Sequence, residues 1–435
     1  MREPPASSAN ESERRSPDRH EGKTSNEVQA DREIGVPVAI AGCGAVSAVG
    51  CGIEPLRVAL QKNVSGLRPL EKFNSPRFQS NIVGASPRAL DDENPAWSLA
   101  TEALKQACES SRLVLEKIPA ERIGFVLSTT KANIEALERI SENRPCSETA
   151  RRHLQADLLA ADLAATHGAR GPVQTISVAC VSGLIAIQQG TRMIQRGEAD
   201  AVLVVGVDCL SEFVMAGFTA LKALDPLGCR PFDAARCGLS PGEAGAAIVL
   251  VRAGFGVPSR ERRDGSGTEP SRRSRDGTPN ITIRGFGSSN DANHLTGPSR
   301  DGSGLALAIR VALNSANLSP GEIDFVHAHG TGTSYNDAME SLALQTIFGE
   351  ACPPVSGSKG MLGHTLGAAG VIETICCVLA MQENFLPGTP RLNVAAEGTP
   401  SSLVREPRFE VRLKNVLKLN TGFGGMNGAL ILQMQ

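Results

Sequence analysis

Aromatic residues are scarce in this sequence of 435 residues, making up 3% of it with a single Trp and a single Tyr. The hydrophobic share is nevertheless 41%, and there are 45 glycines. The core must therefore be built from closely packed Ala, Val, Leu and Ile side chains. The net charge at pH 7 is −2, so nothing in the overall charge indicates nucleic acid or an anionic membrane as a partner.

A paired cysteine framework is also lacking, because none of the 11 cysteines forms a C-x-x-C motif. Disulfide scaffolds and zinc sites use paired spacings, so we expect reduced thiols, no metal site and a cytoplasmic location. The first residues are polar and do not resemble a secretory signal. The apolar run 34–50 contains Pro37 and four glycines, which suits a strand and a turn rather than a membrane span.

Two segments have the composition of unstructured chain. Residues 1–34 carry many charges of both signs and few apolar side chains, which predicts a disordered tail. Residues 258–280 are rich in Arg, Ser and Gly and lie between the strand-like runs 246–251 and 281–283. We predict that this second segment is a flexible insertion at the tip of a hairpin, where added length costs little.

Short β-branched runs alternate with stretches of helical periodicity along the rest of the chain, which predicts an α/β architecture. The predicted buried strands are 38–41, 123–127, 201–207, 246–251, 323–328 and 416–419. The predicted helices are 184–195, 304–314, 338–347 and 368–382. Polar residues at the end of a strand mark the usual position of a site in such folds.

The first candidate site is SVACVSG at 177–183, which is followed directly by an apolar helical pattern. This spacing places Cys180 near a helix N-terminus, where the dipole and the unpaired N–H groups favour a thiolate. The same N–H groups could stabilise an oxyanion on an attacked carbonyl. Taken alone, the motif is equally compatible with an ordinary packed thiol.

The second candidate site is DFVHAHGTGTSYND at 324–337, where a strand runs into a Gly/Thr loop. His329 lies at the end of the strand and is expected to face a cleft. His327 lies two residues earlier on the same face, so we predict a structural role for it. Thr331 and Thr333 on the tight loop are candidates for contact with a ligand.

Two further glycine-rich motifs follow. The stretch 355–370 contains Lys359 and His364, five residues apart at the start of a helix, and this pair suits polarisation of a carbonyl or an anion. It lacks the order of a phosphate-binding loop, because Lys359 precedes the glycines. The stretch 419–427 surrounds Phe423 with glycines, which is typical of a mobile turn with an apolar plug.

Each motif alone has an ordinary structural explanation, such as a salt bridge, a cap or a tight turn. Together they supply one thiol, two histidines, one lysine and a mobile turn. This set of groups is typical of enzymes that transfer acyl groups. Metal binding is disfavoured because His329 and His364 lack close spacing and carboxylate neighbours. A dinucleotide site is excluded because Gly42-Cys-Gly44 lacks the third glycine of that fingerprint.

The four motifs, in this order, resemble those of the elongating β-ketoacyl-[acyl-carrier-protein] synthases of the thiolase-like superfamily. The resemblance extends from about residue 36 to the C-terminus, apart from the 258–280 segment. It implies a duplicated five-layer αβαβα fold, with an N-terminal half at 35–290 and a C-terminal half at 291–435. It also implies a homodimer, with a heterodimer as the alternative, and an acyl-carrier protein as partner.

The resemblance further implies a decarboxylative Claisen condensation without a cofactor. Cys180 would take an acyl chain, and His329 and His364 would hydrogen-bond the thioester carbonyl of a malonyl unit. Backbone N–H groups of Cys180 and Phe423 would form the oxyanion hole, while Lys359 would order the histidine region. The residues expected to contact the phosphopantetheine arm are Thr331, Thr333 and Thr296, and Glu340 matches a buried structural carboxylate.

Some features depart from the fatty-acid members of this family. Thr421 stands where those members usually have Phe, and the stretch between Lys131 and Gly168 looks short. These features favour polyketide or polyene chain elongation over housekeeping fatty-acid synthesis. Two alternatives are a thiolase, which would need a second cysteine near the C-terminus, and a non-catalytic or partner-dependent subunit, which Cys180 argues against.

Overall fold

The structure, a computed structural model, describes residues 36–73, 76–87, 93–254 and 281–435. The predicted tail at 1–34 and the predicted insertion at 258–280 lie outside the described residues. All eleven cysteines lie within the described part, and none of them forms a disulfide.

The strands fall into two groups along the chain. The first group is β1 (Val38–Ser47), β2 (Gly50–Cys51), β3 (Arg68–Pro69), β4 (Ile82–Val83), β5 (Ile123–Ser128), β6 (Val173–Ile176), β7 (Ala201–Asp208) and β8 (Ala244–Arg252). The second group is β9 (Ile281–Asn290), β10 (Phe325–His327), β11 (Val355–Ser356), β12 (Phe385–Leu386), β13 (Arg408–Phe409), β14 (Asn415–Gly422) and β15 (Met426–Met434).

Helices separate most of the longer strands. The first six are α1 (Ile53–Lys62), α2 (Pro95–Ser110), α3 (Arg112–Leu115), α4 (Ile134–Ser141), α5 (Glu148–Arg152) and α6 (Ala156–Thr166). The others are α7 (Ser182–Gln195), α8 (Glu212–Ala220), α9 (Ser303–Ala316), α10 (Ser334–Phe348), α11 (Lys359–Leu362) and α12 (Ala369–Glu383). All six predicted strands and all four predicted helices are confirmed, with ends that differ by a few residues.

The sheet consists of two halves with the same topology. The strand order is β6-β5-β7-β8-β1 in the first half and β11-β10-β14-β15-β9 in the second. Within each half the first three strands pair in parallel and the last three in antiparallel fashion. The two halves meet at their edges, where β1 pairs with β9 over two residues. The predicted duplication is therefore confirmed, whereas the boundary at residue 290 remains a prediction.

The three largest of four apolar cores among the described residues separate five layers. The central core contains side chains of both half-sheets together with α7 and α12, the helices that lie between them. A second core joins the outer face of the first half-sheet to α2 and α6, and a third joins the second half-sheet to α9 and α10. Alternation along the strands produces this arrangement, since Val202 and Val204 face inward while Leu203 and Val205 face outward. The five-layer αβαβα expectation is confirmed.

The expected hairpin around residues 258–280 is wrong. The strands β8 and β9, which flank this segment, do not pair with each other, because β1 lies between them. The segment therefore connects two strands on opposite sides of β1. It also links the first half of the fold to the second.

One described stretch, Leu366–Glu383, is long and apolar enough by length and composition to cross a membrane. It contains α12, and 89% of it is buried inside the protein. The buried central helix of a folded core has the same composition, so this stretch is only a weak sign of a membrane span.

The two central helices touch through glycine. A Cβ atom on Gly183 would lie 2.7 Å from the Cα of Gly370 and 2.7 Å from the backbone nitrogen of Val371. This distance is below any real Cβ contact, so the beginning of α7 and the beginning of α12 can approach only because neither residue has a side chain. The contact fixes the spacing between the chain near Cys180 and the chain near His364.

We expect the substitution Gly183→Ala to lower the free energy of unfolding by about 1–3 kcal/mol, the usual cost of overpacking. The matched control is Gly217→Ala in α8, where a Cβ would meet nothing within 4 Å. That change should be neutral or slightly stabilising, because alanine suits a helix better than glycine. Equal denaturant midpoints for the two variants would contradict the proposed packing constraint.

Candidate active site

Cys180 lies in a sharp turn between β6 and α7. Ala179 has a φ of 45°, a left-handed conformation that is uncommon for alanine, and α7 begins two residues after the cysteine. Cys180 is 8% exposed. The turn after β14 comes close to it, since a Cβ on Gly422 would lie 3.2 Å from the backbone nitrogen of Cys180. The backbone of Cys180 therefore lies between the start of a helix and the end of β14, next to the turn that carries Phe423.

Burial opposes the effect that the helix N-terminus is expected to have on the Cys180 thiol. Burial raises the pKa of the Cys180 thiol to about 12, although Lys359 acts in the opposite direction. The cost of removing the thiolate from water is larger than the stabilisation that a helix N-terminus gives it. The side chain is therefore a neutral thiol at pH 7.

His329 follows β10, and two elements of the second half hold it. Glu340 of α10 accepts hydrogen bonds from the backbone N–H groups of His329 at 2.6 Å and of Gly330 at 2.8 Å. Burial raises the pKa of Glu340 to about 7, while these two N–H groups oppose the shift. The carboxylate thus fixes the backbone at the end of the strand, which agrees with its expected structural role.

Two donors converge on Nδ1 of His329. Nζ of Lys359 lies 3.1 Å from this nitrogen, and Nδ2 of Asn420 lies 3.0 Å from it. Because both neighbours donate, Nδ1 is the acceptor and the ring proton lies on Nε2. Burial, assisted by Lys359, holds the pKa of His329 well below its ordinary value. The ring is consequently a neutral imidazole with Nε2–H as its free donor.

Lys359 uses its whole ammonium group in this arrangement. It donates to the backbone oxygen of His329 at 2.6 Å and to Oε1 of Glu373 at 2.5 Å, in addition to Nδ1. Three N–H donors therefore meet three acceptors, which is the condition for burying a charged lysine.

His364 has the same tautomer as His329. The backbone N–H of Leu366 donates to Nδ1 of His364 at 3.3 Å, so the ring proton again lies on Nε2. The two rings are edge to face, with centroids 5.2 Å apart. Burial lowers the pKa of His364 to about 3, and Lys359 lowers it further. The site thus holds two neutral imidazoles with adjacent N–H donors, and such a pair can polarise a carbonyl oxygen without proton transfer.

The chain matches two known domain families. The family described as "Beta-ketoacyl synthase, N-terminal domain" matches residues 36–254, and the one described as "Beta-ketoacyl synthase, C-terminal domain" matches residues 281–393. The chain belongs to the β-ketoacyl synthase family. It is therefore an acyltransferase that forms carbon–carbon bonds.

Relatives of this β-ketoacyl synthase include enzymes of two kinds. It is 32% identical to a putative polyketide beta-ketoacyl synthase 1 of Streptomyces halstedii, over 91% of this chain and 97% of the relative. It is 30% identical to 3-oxoacyl-[acyl-carrier-protein] synthase 2 of Coxiella burnetii, over 91% and 98%. Among solved structures, the ishigamide ketosynthase/chain length factor has a TM-score of 0.82 and 28% identity, covering 92% of this chain and all of that one. The thiolase-like fold predicted for the chain is confirmed.

Most of the predicted site residues of this β-ketoacyl synthase come together. Cys180, His329, Lys359 and His364 are buried, and Lys359 contacts His329 directly. Phe423 is 39% exposed at the β14–β15 turn, and its ring centroid lies 6.2 Å from that of Phe218.

The three predicted threonines are divided between two loops. The hydroxyls of Thr331 and Thr333 lie 2.9 Å apart. Thr296 is exposed on another loop, where its backbone N–H donates to His294. No described contact joins Thr296 to the other two threonines. That loop does touch the Phe423 turn, because the N–H of Gly424 donates to the oxygen of Leu295.

Three residues of the site were not predicted from the sequence. Glu373 of α12 and Lys418 and Asn420 of β14 extend the hydrogen-bonded network behind His329. A signal was present for the two charged residues, because each is a single charge within a mostly apolar run. Isolated charges of this kind are rarely buried without a specific partner.

No cluster of three or more His, Cys, Asp or Glu side chains suited to a metal ion occurs among the described residues. The charged neighbours of the histidine pair are mainly lysines. Since lysines repel cations, we propose no metal-dependent step.

We expect alkylation of Cys180 by a small reagent to accelerate about tenfold per pH unit between about pH 7 and pH 9. The physical reason is the raised thiol pKa, since the thiolate fraction keeps increasing up to a pKa of about 12. Peptide-mapped mass spectrometry would measure the rate, and Cys180→Ala would identify the peptide. A plateau below about pH 8 would instead show a resting thiolate stabilised by the helix.

Proposed function

We propose that the protein is an active elongating synthase that condenses a malonyl unit with an acyl chain held on Cys180, both delivered by an acyl-carrier protein. The observation that carries this proposal is the convergence of Lys359 and Asn420 on Nδ1 of His329. It leaves Nε2–H available for a substrate oxygen. A non-catalytic subunit would have no need for such a buried arrangement of hydrogen bonds and ion pairs.

In the first half-reaction, Cys180 attacks the thioester of an acyl-carrier protein. The new Cys180–acyl bond forms as the carrier thioester breaks, and the thiol proton leaves with the carrier thiol. The backbone N–H groups of Cys180 and Phe423 are the proposed donors to the oxyanion of this step. The short distance between Cys180 and the β14–β15 turn supports this assignment.

In the second half-reaction, the Nε2–H groups of His329 and His364 donate to the thioester carbonyl of the malonyl unit. Loss of carbon dioxide then leaves an enolate, whose charge the two donors stabilise. The enolate carbon attacks the acyl group on Cys180, which releases the Cys180 thiolate to take up a proton. Lys359 contributes by fixing the tautomer of His329.

Thr331, Thr333 and Thr296 are the proposed contacts of the phosphopantetheine arm. Support comes from the first two hydroxyls, which lie together on the loop after His329, and from the exposed loop of Thr296 beside the Phe423 turn. The carrier protein brings both substrates as thioesters, so the proposed mechanism has no cofactor.

We also propose that a second chain of the same fold covers β6. This strand ends the sheet and pairs with β5 alone among the described strands, and Val173 is 42% exposed. At the opposite end, β11 is buried, and residues 402–404 cover it through backbone hydrogen bonds. An open edge strand invites pairing with another chain. Either a homodimer or a ketosynthase/chain length factor pair would cover the open edge of β6.

The two half-reactions test the catalytic proposal separately. Acyl-carrier proteins with fatty-acid and polyene-type chains should label Cys180, and Cys180→Ala should remove both the label and the condensation product. His364→Ala should retain labelling but reduce release of carbon dioxide from malonyl-carrier protein by about 10²–10³-fold, the usual effect of losing one such donor. Undiminished carbon dioxide release by His364→Ala would remove this residue from the mechanism.

The mass of the isolated protein in solution tests the proposed interface. A homodimer should have twice the chain's 45.6 kDa, and Val173→Lys should reduce the mass to that of a monomer by placing a charge on the edge. The matched control is Val394→Lys, at a 64% exposed position outside the sheet, which should leave the mass unchanged. A wild-type monomer that labels Cys180 only when a chain length factor is added would indicate the heterodimer.

A further inference from the structure

Lys418 is a completely buried lysine in the middle of β14. Alternation along the strand places Leu417 and Leu419 in the outer core and Val416 in the central core, so Lys418 points towards α12. Its ammonium group lies 2.9 Å from Oε2 of Glu373 and also donates to the backbone oxygen of Leu419. An apolar side chain would occupy such a position at a lower cost in desolvation.

Glu373 connects Lys418 to the reacting groups. Its Oε1 accepts from Lys359, whereas its Oε2 accepts from Lys418 and, at 3.1 Å, from Nδ2 of Asn420. Burial raises the pKa of Glu373, but the two lysines outweigh burial and hold the pKa well below its usual range. The carboxylate is therefore ionised, and each of its oxygens holds one of the two donors to His329.

Lys418 also changes the charge of the interior. Two lysines share one carboxylate, so the group carries a formal charge of +1 next to His329. The titratable groups that act on His329 are Lys359, His364, Lys418 and His327, and Glu373 contacts both donors to its Nδ1. Because most of these are positive or neutral, a proton added to His329 would meet mainly repulsion.

We infer that Lys418 is a positioning residue of the condensation. By holding Oε2 of Glu373, it keeps Lys359 and Asn420 on Nδ1 of His329, so that Nε2–H remains the donor to the malonyl carbonyl. This inference rests on the proposed function. It adds that a lysine without contact to the substrate determines which nitrogen of His329 carries the proton.

The first test is Lys418→Met in the full chain, a change that removes the ammonium group but retains an unbranched side chain. Labelling of Cys180 should persist, whereas the rate of malonyl decarboxylation should fall about 10-fold to 100-fold. A loss of this size is usual when a residue that orients a functional side chain is removed. The acid limb of the decarboxylation pH profile should move to higher pH, because removal of a neighbouring cation makes His329 easier to protonate. A protonated Nδ1 can no longer accept from Lys359.

The matched control is Lys72→Met. Lys72 also forms an ion pair, partly buried and 2.7 Å long, with Glu135, and this pair includes no residue of the His329 network. Both variants should lose stability, but only Lys418→Met should shift the pH profile. If Lys418→Met is not recovered as folded protein, Lys418→Gln provides the same readouts, since it removes the charge but keeps a donor.

A double-mutant cycle tests the route through Glu373. Glu373→Gln leaves two buried lysines without an anion. The double variant Glu373→Gln/Lys418→Met should therefore decarboxylate malonyl-carrier protein at least as fast as Glu373→Gln alone. Independent, multiplying losses would overturn the inference, as would a wild-type pH profile in Lys418→Met. If the wild-type protein labels Cys180 but never releases carbon dioxide from malonyl-carrier protein, the proposed function fails instead.

Discussion

The buried carboxylate of Glu373 is the interaction on which the rest of the site depends. It neutralises one of two buried lysines and holds the amide of Asn420, and through Lys359 and Asn420 it determines the tautomer of His329. Its helix, α12, packs against α7 through glycine. The positions of the thiol and of the histidine pair are thus set by one packing contact and one anion.

Most of the fold could be predicted from the sequence because its strands and helices have strong and different periodicities. The motif residues Cys180, His329, Lys359 and His364 could be predicted because each lies where a strand ends and because their order resembles one family. The network behind them could not be predicted. Glu373 meets Lys418 from a different element 45 positions away along the chain, and no local pattern encodes such a contact.

The protonation state of Cys180 shows a second limit of sequence reasoning. The helix N-terminus was visible as a motif, and a helix N-terminus favours a thiolate. The opposing effect, burial to 8% exposure, depends on the β14–β15 turn and on the central layer. Two physical effects of opposite sign act on one thiol, and only the folded chain shows which is larger.

The duplicated topology relates the two parts of the site to each other. β6 and β11 are equivalent strands, and the chain after each leads into an equivalent central helix, α7 or α12. One junction carries the cysteine, and the other carries Lys359 and His364. Two topologically equivalent junctions therefore carry different side chains, and the proposed chemistry needs both of them. A change that shifted one half-sheet against the other would separate the proposed nucleophile from the proposed donors to the malonyl carbonyl.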